Sequence, residues 1–135
     1  MLKLKGTGPL LNMRYDLQKK WMRLAIRSAQ AGIRRAEGGP FGAAIVRGNQ
    51  MIAVAHNTVL KDHDATCHAE VNAIRIASKK LKRFDLSDCV IYSTTEPCPM
   101  CFSAIHWARI AKVIFGTAIA DVAQILTADG APRRA

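Results

Sequence analysis

The sequence has few prolines, few aromatic residues, few acidic side chains and no long apolar run. No stretch reaches the roughly 18 apolar residues of a membrane-spanning helix, and the first residues lack the apolar segment of a secretory signal. We therefore expect a cytoplasmic protein with no membrane partner. With 50% hydrophobic residues and only 5 prolines and 9 glycines in 135 residues, a disordered or low-complexity chain is excluded. The length favours a single domain over residues 1–135, with residues 1–12 and 128–135 as loose tails.

The shortage of acidic side chains leaves the chain strongly basic. Ten Asp and Glu stand against twenty Lys and Arg, a formal net charge of +10. Residues 1–35 hold nine of the basic side chains and only one acidic residue, Asp16. Such a charge attracts polyanions and speeds their association, but it equally suits a solvated surface. A nucleic-acid partner and a merely solvated face both stay open.

The order of predicted elements is helix, hairpin, helix, strand, helix, strand. Apolar spacing predicts a helix over residues 15–36 with Trp21 in the core, and strands 42–47 and 51–56 flank the hairpin turn Gly48-Asn49. A second helix is predicted from Thr66, a possible N-cap, to Lys80, and a third over residues 97–109. Two further strands are predicted over residues 89–94 and 112–115. Strand–helix–strand alternation implies right-handed crossovers. The fold class is α/β, a three-layer α/β/α sandwich with a mixed sheet.

The cysteines carry the first chemical signal. Cys98 and Cys101 lie three residues apart at the predicted start of a helix, where the helix dipole favours thiolates. Such a pair serves either metal binding or redox chemistry, and His68 adds a third zinc-type ligand. Cys89 has no partner spacing and is expected to be a small buried residue. His56, His63 and His106 have no motif support, and we expect them on the surface.

Glu70 follows His68 by two residues and adds a carboxylate to the predicted zinc ligands. Three protein ligands leave the fourth position of a tetrahedral zinc for water, as in catalytic sites. Zinc lowers the pKa of that water from about 15.7 to near 7, and a nearby carboxylate can move its proton. The signature of zinc deaminases is H-x-E…P-C-x-x-C, and this chain has His68-Ala69-Glu70 and, over residues 97–101, PCPMC.

With these motifs, residues 38–121 resemble the cytidine deaminase-like superfamily, in the branch of bacterial guanine deaminases and tRNA adenosine deaminases. The resemblance is carried by GGPFGAAIV, HNTVLKDHDATCHAEVNAIR and TTEPCPMCFSAIHWARI. It implies a cytidine deaminase-like fold, one Zn²⁺ per chain on His68, Cys98 and Cys101, and Glu70 as the catalytic proton shuttle. It also implies a homodimer.

The resemblance further implies a set of substrate contacts. Asn57 is expected to hydrogen-bond the substrate and Phe41 to line the base pocket. The backbone at Ala69 and the side chain of Glu96 are expected to orient the base or the attacking water. Trp107 is a pocket candidate, and Asp121 falls near an acidic residue that guanine deaminases use. The segments GGPFGA, EPCPMC and AIHWAR are closer to guanine deaminases than to the tRNA enzymes.

These features leave several functions to compare. The leading hypothesis is a hydrolytic deaminase of a purine base or nucleoside, converting guanine to xanthine and ammonia. The alternative within the family is a tRNA adenosine deaminase that makes inosine at the wobble position, with tRNA as its partner. From other classes, a thioredoxin-like redox protein using Cys98 and Cys101 leaves His68 and Glu70 unexplained, and a non-catalytic RNA-binding zinc module leaves Glu70 unexplained.

The chain departs from the family pattern directly before His68. The family usually has P-T-A-H-A-E, whereas residues 65–70 here read ATCHAE. Ala65 replaces the proline, which loosens the entry to the loop, and Cys67 places a thiol beside a predicted zinc ligand. We expect Cys67 to be an inert core residue, with a redox-sensitive position as the alternative.

Overall fold

The computed structural model describes residues 9–117, except for the side chains of residues 9–12, 14 and 15. Its elements in chain order are helix α1 (Pro9–Arg34), strands β1 (Gly42–Arg47) and β2 (Gln50–His56), helices α2 (Val59–Asp62) and α3 (Ala69–Leu81), strand β3 (Val90–Thr95), helix α4 (Pro99–Trp107) and strand β4 (Lys112–Thr117). Among the described residues, no helix is both long enough and apolar enough to cross a membrane.

The four strands form one mixed sheet in the order β2-β1-β3-β4. Strand β1 pairs antiparallel with β2 and with β3, while β3 and β4 run parallel. Helix α4 supplies the crossover between the parallel strands, as parallel pairing requires. The predicted hairpin is confirmed, because Arg47 pairs with Gln50 across Gly48 and Asn49.

Helices cover both faces of the sheet, so the predicted three-layer sandwich is confirmed. Alternate residues of β1 point to opposite faces, and all of Gly42 to Val46 is buried. On one face α1 packs through Trp21, which is 4% exposed as expected of a core residue, in a cluster with Ala25, Ala44, Val46 and Tyr92. The other face packs against α3 and α4 in a cluster that includes Ala43, Ile45, Ala69, Ala73, Ala77, Ile91 and Ile105.

Small residues let the helices approach the sheet closely. A Cβ placed on Gly42 would overlap the backbone carbonyl oxygen of Ala25, so α1 contacts the first residue of β1 backbone to backbone. Ala25 is itself fully buried. This contact sets the distance between the C-terminal half of α1 and β1.

Several element boundaries differ from the sequence prediction. Helix α1 begins at Pro9 rather than at residue 15, because proline is accepted at the first helical position. A short helix, α2, occupies part of the segment expected to be a loop. Thr66 does not cap α3: its backbone N and its Oγ1 donate to Asp64 Oδ1 at 2.8 and 2.6 Å. The helix therefore begins two residues later, with His68 as its N-cap.

The close contact at Gly42 generates a stability prediction. We expect Gly42→Ala to lower the free energy of unfolding by about 1–3 kcal/mol, because the added methyl forces α1 away from β1. Urea unfolding followed by circular dichroism measures the change. The control is Gly48→Asn in the hairpin turn, where φ is 59° and a Cβ would meet no atom within 4 Å. Asparagine tolerates that conformation, so equal losses in the two variants would contradict the packing explanation.

Candidate metal centre and active site

Two helix N-termini bring the predicted ligands together. His68 is the N-cap of α3 and Cys98 the N-cap of α4, and both have extended backbone, with ψ of 157° and 168°. Pro99 at the first helical position fixes where α4 starts. Neither N-cap side chain bonds its own helix terminus. Both side chains are therefore available to meet in the space between α3 and α4.

The donor atoms match the geometry of a tetrahedral zinc. His68 Nδ1 lies 3.5 Å from Cys98 Sγ and 3.4 Å from Cys101 Sγ. Zinc bond lengths of about 2.3 Å to sulfur and 2.05 Å to nitrogen, at a tetrahedral angle, separate the two donors by about 3.6 Å. All three donor atoms lie within 4.8 Å of one another, and His68, Cys98 and Cys101 are positioned to bind one metal ion. The residues fit a zinc that leaves one position open.

Cys101 is completely buried, in surroundings that disfavour a free thiolate. Burial raises the pKa of the Cys101 thiol, and the charge of Glu70 and the neighbouring Cys98 raise it further. A bound cation, in contrast, stabilises buried thiolates. A thioredoxin-like redox pair would leave unexplained why His68 Nδ1 lies within 3.5 Å of both sulfurs and why Glu70 is buried.

Glu70 lies in the first turn of α3, close to the ligand His68. It is only 6% exposed, which is unusual for a carboxylate. Its Oε1 accepts a hydrogen bond from Ser93 Oγ at 2.7 Å. Ser93 is fully buried in β3. A buried carboxylate beside three zinc-type ligands is placed for proton transfer.

The residues predicted to contact the substrate lie partly in one neighbourhood. Asn57 is 7% exposed, and its Oδ1 accepts a hydrogen bond from the backbone N of Val59 at 3.1 Å. Its backbone N donates to Phe41 O at 3.1 Å, which joins the two predicted substrate residues. Phe41 is partly buried and packs against the core cluster on the α3 side of the sheet. A Cβ on Gly38 would overlap Asn57 Oδ1, so that glycine lets the Gly-Gly segment lie against the amide.

Three further predicted contacts occupy different surroundings, and one lies outside the described residues. Ala69 is fully buried as the first residue of α3, beside the metal ligand. Glu96 is half-buried, and its backbone N donates to Thr117 O at 2.6 Å. Trp107 is 78% exposed at the end of α4, so its place in a pocket stays a prediction that rests on the resemblance. Asp121 falls outside residues 9–117.

The other cysteines behave as inert residues. Cys89 is 2% exposed, which confirms that it is a buried residue. Burial is the main cause that raises the pKa of its thiol to about 11, and the neighbouring Asp88 raises it further. Cys67 is 5% exposed, and Arg75 Nη1 lies 3.5 Å from its sulfur. Neither is part of the metal-binding group among the described residues.

Asn72 is a site-supporting residue that the sequence did not reveal. Its Nδ2 lies 2.9 Å from His56 O, 2.8 Å from Thr58 Oγ1 and 3.3 Å from Cys67 O. His56 precedes the predicted substrate residue Asn57, and Cys67 precedes the ligand His68. One side-chain amide on α3 therefore ties both ends of the loop that carries the substrate contact and the metal ligand.

The structure also corrects the expectation for His56, which is not a surface residue. Its side chain is 15% exposed, and Nε2 lies 2.7 Å from Glu37 Oε2 while Nδ1 lies 2.9 Å from Ser28 Oγ. The carboxylate can only accept, so Nε2–H donates to it, and Nδ1 forms a second hydrogen bond with the Ser28 hydroxyl. This network joins α1 to the end of β2, directly before Asn57. His63 and His106 are exposed, as expected.

Comparison with known proteins shows which family and which relatives the chain resembles. The family model for the cytidine and deoxycytidylate deaminase zinc-binding region matches residues 16–117. A guanine deaminase of Bacillus subtilis (strain 168) is 43% identical over 104 residues, 77% of this chain and 67% of that protein. A tRNA-specific adenosine deaminase of Buchnera aphidicola subsp. Schizaphis graminum is 33% identical over 110 residues, 82% of this chain and 72% of that protein. The X-ray structure of the Bacillus subtilis guanine deaminase matches with a TM-score of 0.77 and 42% identity, covering 79% of this chain and 68% of that one.

The donor geometry predicts which substitutions remove the metal. His68→Ala, Cys98→Ala and Cys101→Ala are each expected to lose stoichiometric zinc, because a tetrahedral site with two protein ligands binds zinc weakly. Glu70→Gln is expected to keep it. Zinc content by mass spectrometry, with Cys67→Ala and Cys89→Ala as matched cysteine controls, measures this. Full zinc occupancy in the three ligand variants would show that the assignment is wrong.

The His56 network predicts how stability depends on pH. The hydrogen bond from His56 is the largest cause that lowers the pKa of Glu37 below its ordinary value of 4.5. The folded state therefore favours the carboxylate, so this stabilisation is present above pH 4.5 and is lost as the pH falls through the lower, folded pKa. In Glu37→Gln the free energy of unfolding should fall less between pH 7 and pH 3 than in the wild-type protein, as measured by urea titrations across this range. Asp16→Asn, at an exposed position of α1, is the control, and equal flattening in both variants would argue against the network.

Proposed function

The chain belongs to the cytidine and deoxycytidylate deaminase family of zinc-dependent hydrolytic deaminases, and from this premise we propose that it deaminates a purine base, converting guanine to xanthine and ammonia. The observation that carries the proposal is the arrangement of His68, Cys98 and Cys101 around one point, with the buried carboxylate of Glu70 beside it. Similarity to a guanine deaminase over 77% of the chain supports the choice of substrate.

The residues of this chain divide the chemistry between them. His68, Cys98 and Cys101 would hold the zinc, which supplies water acidic enough to lose a proton near neutral pH. Glu70 would take one proton from the attacking water and pass it to the ring nitrogen, and would then carry the second proton, from the hydroxyl on the attacked carbon, to the leaving amine. Because Glu70 is 6% exposed, few bulk waters reach its carboxylate. Water adds to the amino-bearing carbon, the C–N bond breaks, and ammonia leaves.

Asn57 and Phe41 are proposed to hold the base. The Oδ1 of Asn57 is engaged by Val59 N, which leaves the amide N–H groups as donors for a ring acceptor. Phe41 offers an aromatic wall beside it. Ala69, at the start of α3, and Glu96 complete the proposed set of contacts near the reaction centre, and Trp107 and Asp121 remain proposals from the resemblance.

A tRNA adenosine deaminase is the second candidate, and the surface charge favours it. Helix α1 and the residues after it expose a row of basic side chains: Lys19, Lys20, Arg23, Arg27, Arg34 and Arg35. A free base gains little from such a field, whereas an RNA backbone gains binding energy from each lysine or arginine that reaches a phosphate. Similarity to a tRNA-specific adenosine deaminase over 82% of the chain also supports this candidate.

We also infer a homodimer, which the family resemblance implies. Two aromatic side chains of α4 support it, since Phe102 is 61% and Trp107 is 78% exposed. Aromatic residues are enriched at protein interfaces.

Ammonia release across a substrate panel tests the proposed function. The zinc-loaded protein is given guanine, adenine, cytosine, their nucleosides, and an anticodon stem-loop with adenosine at the wobble position. We expect turnover of guanine, and a fall in kcat of about 10²- to 10⁴-fold in Glu70→Gln at unchanged zinc content, because general acid–base catalysis contributes that much.

The same panel separates the two candidates. If only the stem-loop is deaminated, the substrate is RNA rather than the free base. In that case Arg23→Glu and Arg27→Glu should each weaken stem-loop binding. Each should also reduce the slope of log K against log salt concentration by about one, the loss of one phosphate contact. The absence of ammonia from every substrate, with zinc bound, would contradict both candidates.

A further inference from the structure

We propose that Ser93 is a positioning residue for the reaction: its hydroxyl holds the carboxylate of Glu70 in the orientation that proton transfer needs. The proposal rests on the proposed deaminase function of the site. It assigns a role to a residue outside the H-x-E and P-C-x-x-C motifs and on a different element from either.

The first observation is the place of Ser93 in the sheet. Ser93 is completely buried, two residues after Ile91 on the same face of β3. Ile91 belongs to the apolar cluster beneath α3, so this face of the strand changes from apolar to polar at the position opposite Glu70. A hydroxyl in this layer is costly unless it is hydrogen-bonded, and Glu70 Oε1 is its partner at 2.7 Å.

The second observation is that the hydroxyl is held from two sides. Ser93 Oγ also lies 2.6 Å from the carbonyl oxygen of Thr95. A hydroxyl has one proton to donate, and a carboxylate is the stronger of the two acceptors. The hydroxyl therefore donates to an ionised Glu70, and it donates to Thr95 O when a protonated Glu70 donates to Ser93 Oγ instead. Strand β3 thus fixes one oxygen of the carboxylate.

A matched pair of substitutions isolates the hydroxyl. Ser93→Thr and Ser93→Val have nearly the same shape and strain the buried position equally, but only threonine keeps the donor. Ser93→Ala adds a variant without added bulk. Each full-length, zinc-loaded protein is assayed for kcat and KM with guanine and for zinc content, and crystal structures of the Thr and Val variants locate the Glu70 carboxylate.

We expect the variants to differ in kcat but not in KM or zinc content. Val and Ala should lower kcat by about 10- to 100-fold, the usual effect of removing a group that orients a catalytic side chain. KM and zinc content should stay near the wild-type values, and Thr should restore kcat. The carboxylate should rotate away from its wild-type position in Val and keep it in Thr.

Two results would overturn the proposal: equal kcat values in Thr and Val, or a carboxylate in the same position in both crystal structures. A wild-type protein that deaminates no substrate would instead refute the proposed function. The crystal structures would still decide whether Ser93 positions Glu70, so the two failures are distinguishable.

Discussion

The site depends on one constraint: the N-termini of α3 and α4 must meet at the same point. His68 and Cys98 occupy the two N-cap positions, and neither uses its side chain to cap its own helix. The side chains are therefore available to each other, and His68 Nδ1 comes within 3.5 Å of both thiol sulfurs. Helix N-termini also favour anionic ligands, so the backbone itself supports two thiolates and a carboxylate in one small volume.

The sheet provides the rigidity that this meeting requires. β3 and β4 run parallel, and α4 crosses between them, so the start of α4 follows directly from the end of a central strand. On the other side, Asn72 joins the two ends of the loop before α3. The close contact of Gly42 with Ala25 holds α1 against the opposite face. The metal ligands thus lie on elements whose positions are set by buried packing.

Much of this architecture was predictable from local sequence. Hydrophobic periodicity predicted the order of elements and the mixed sheet, the turn Gly48-Asn49 predicted the hairpin, and the H-x-E and P-C-x-x-C motifs predicted the metal centre. The start of α3 was not predictable in this way, because the side chain of Asp64 takes Thr66 into a turn. Residues such as Ser93, Asn72 and His56 carry no motif. Their roles arise from contacts between elements distant in sequence, which a single sequence does not show.

A hydrolytic purine deaminase takes the oxygen of its new carbonyl group from water, so isotope transfer from water to the product measures whether these residues carry out this reaction. The zinc-loaded protein is incubated with guanine in water enriched in oxygen-18, and the purine product is analysed by mass spectrometry. We expect xanthine that carries one oxygen-18 atom from water, released with ammonia, and no such product from Glu70→Gln. Guanine that stays unchanged in the presence of the zinc-saturated protein, or xanthine without the label, would contradict it.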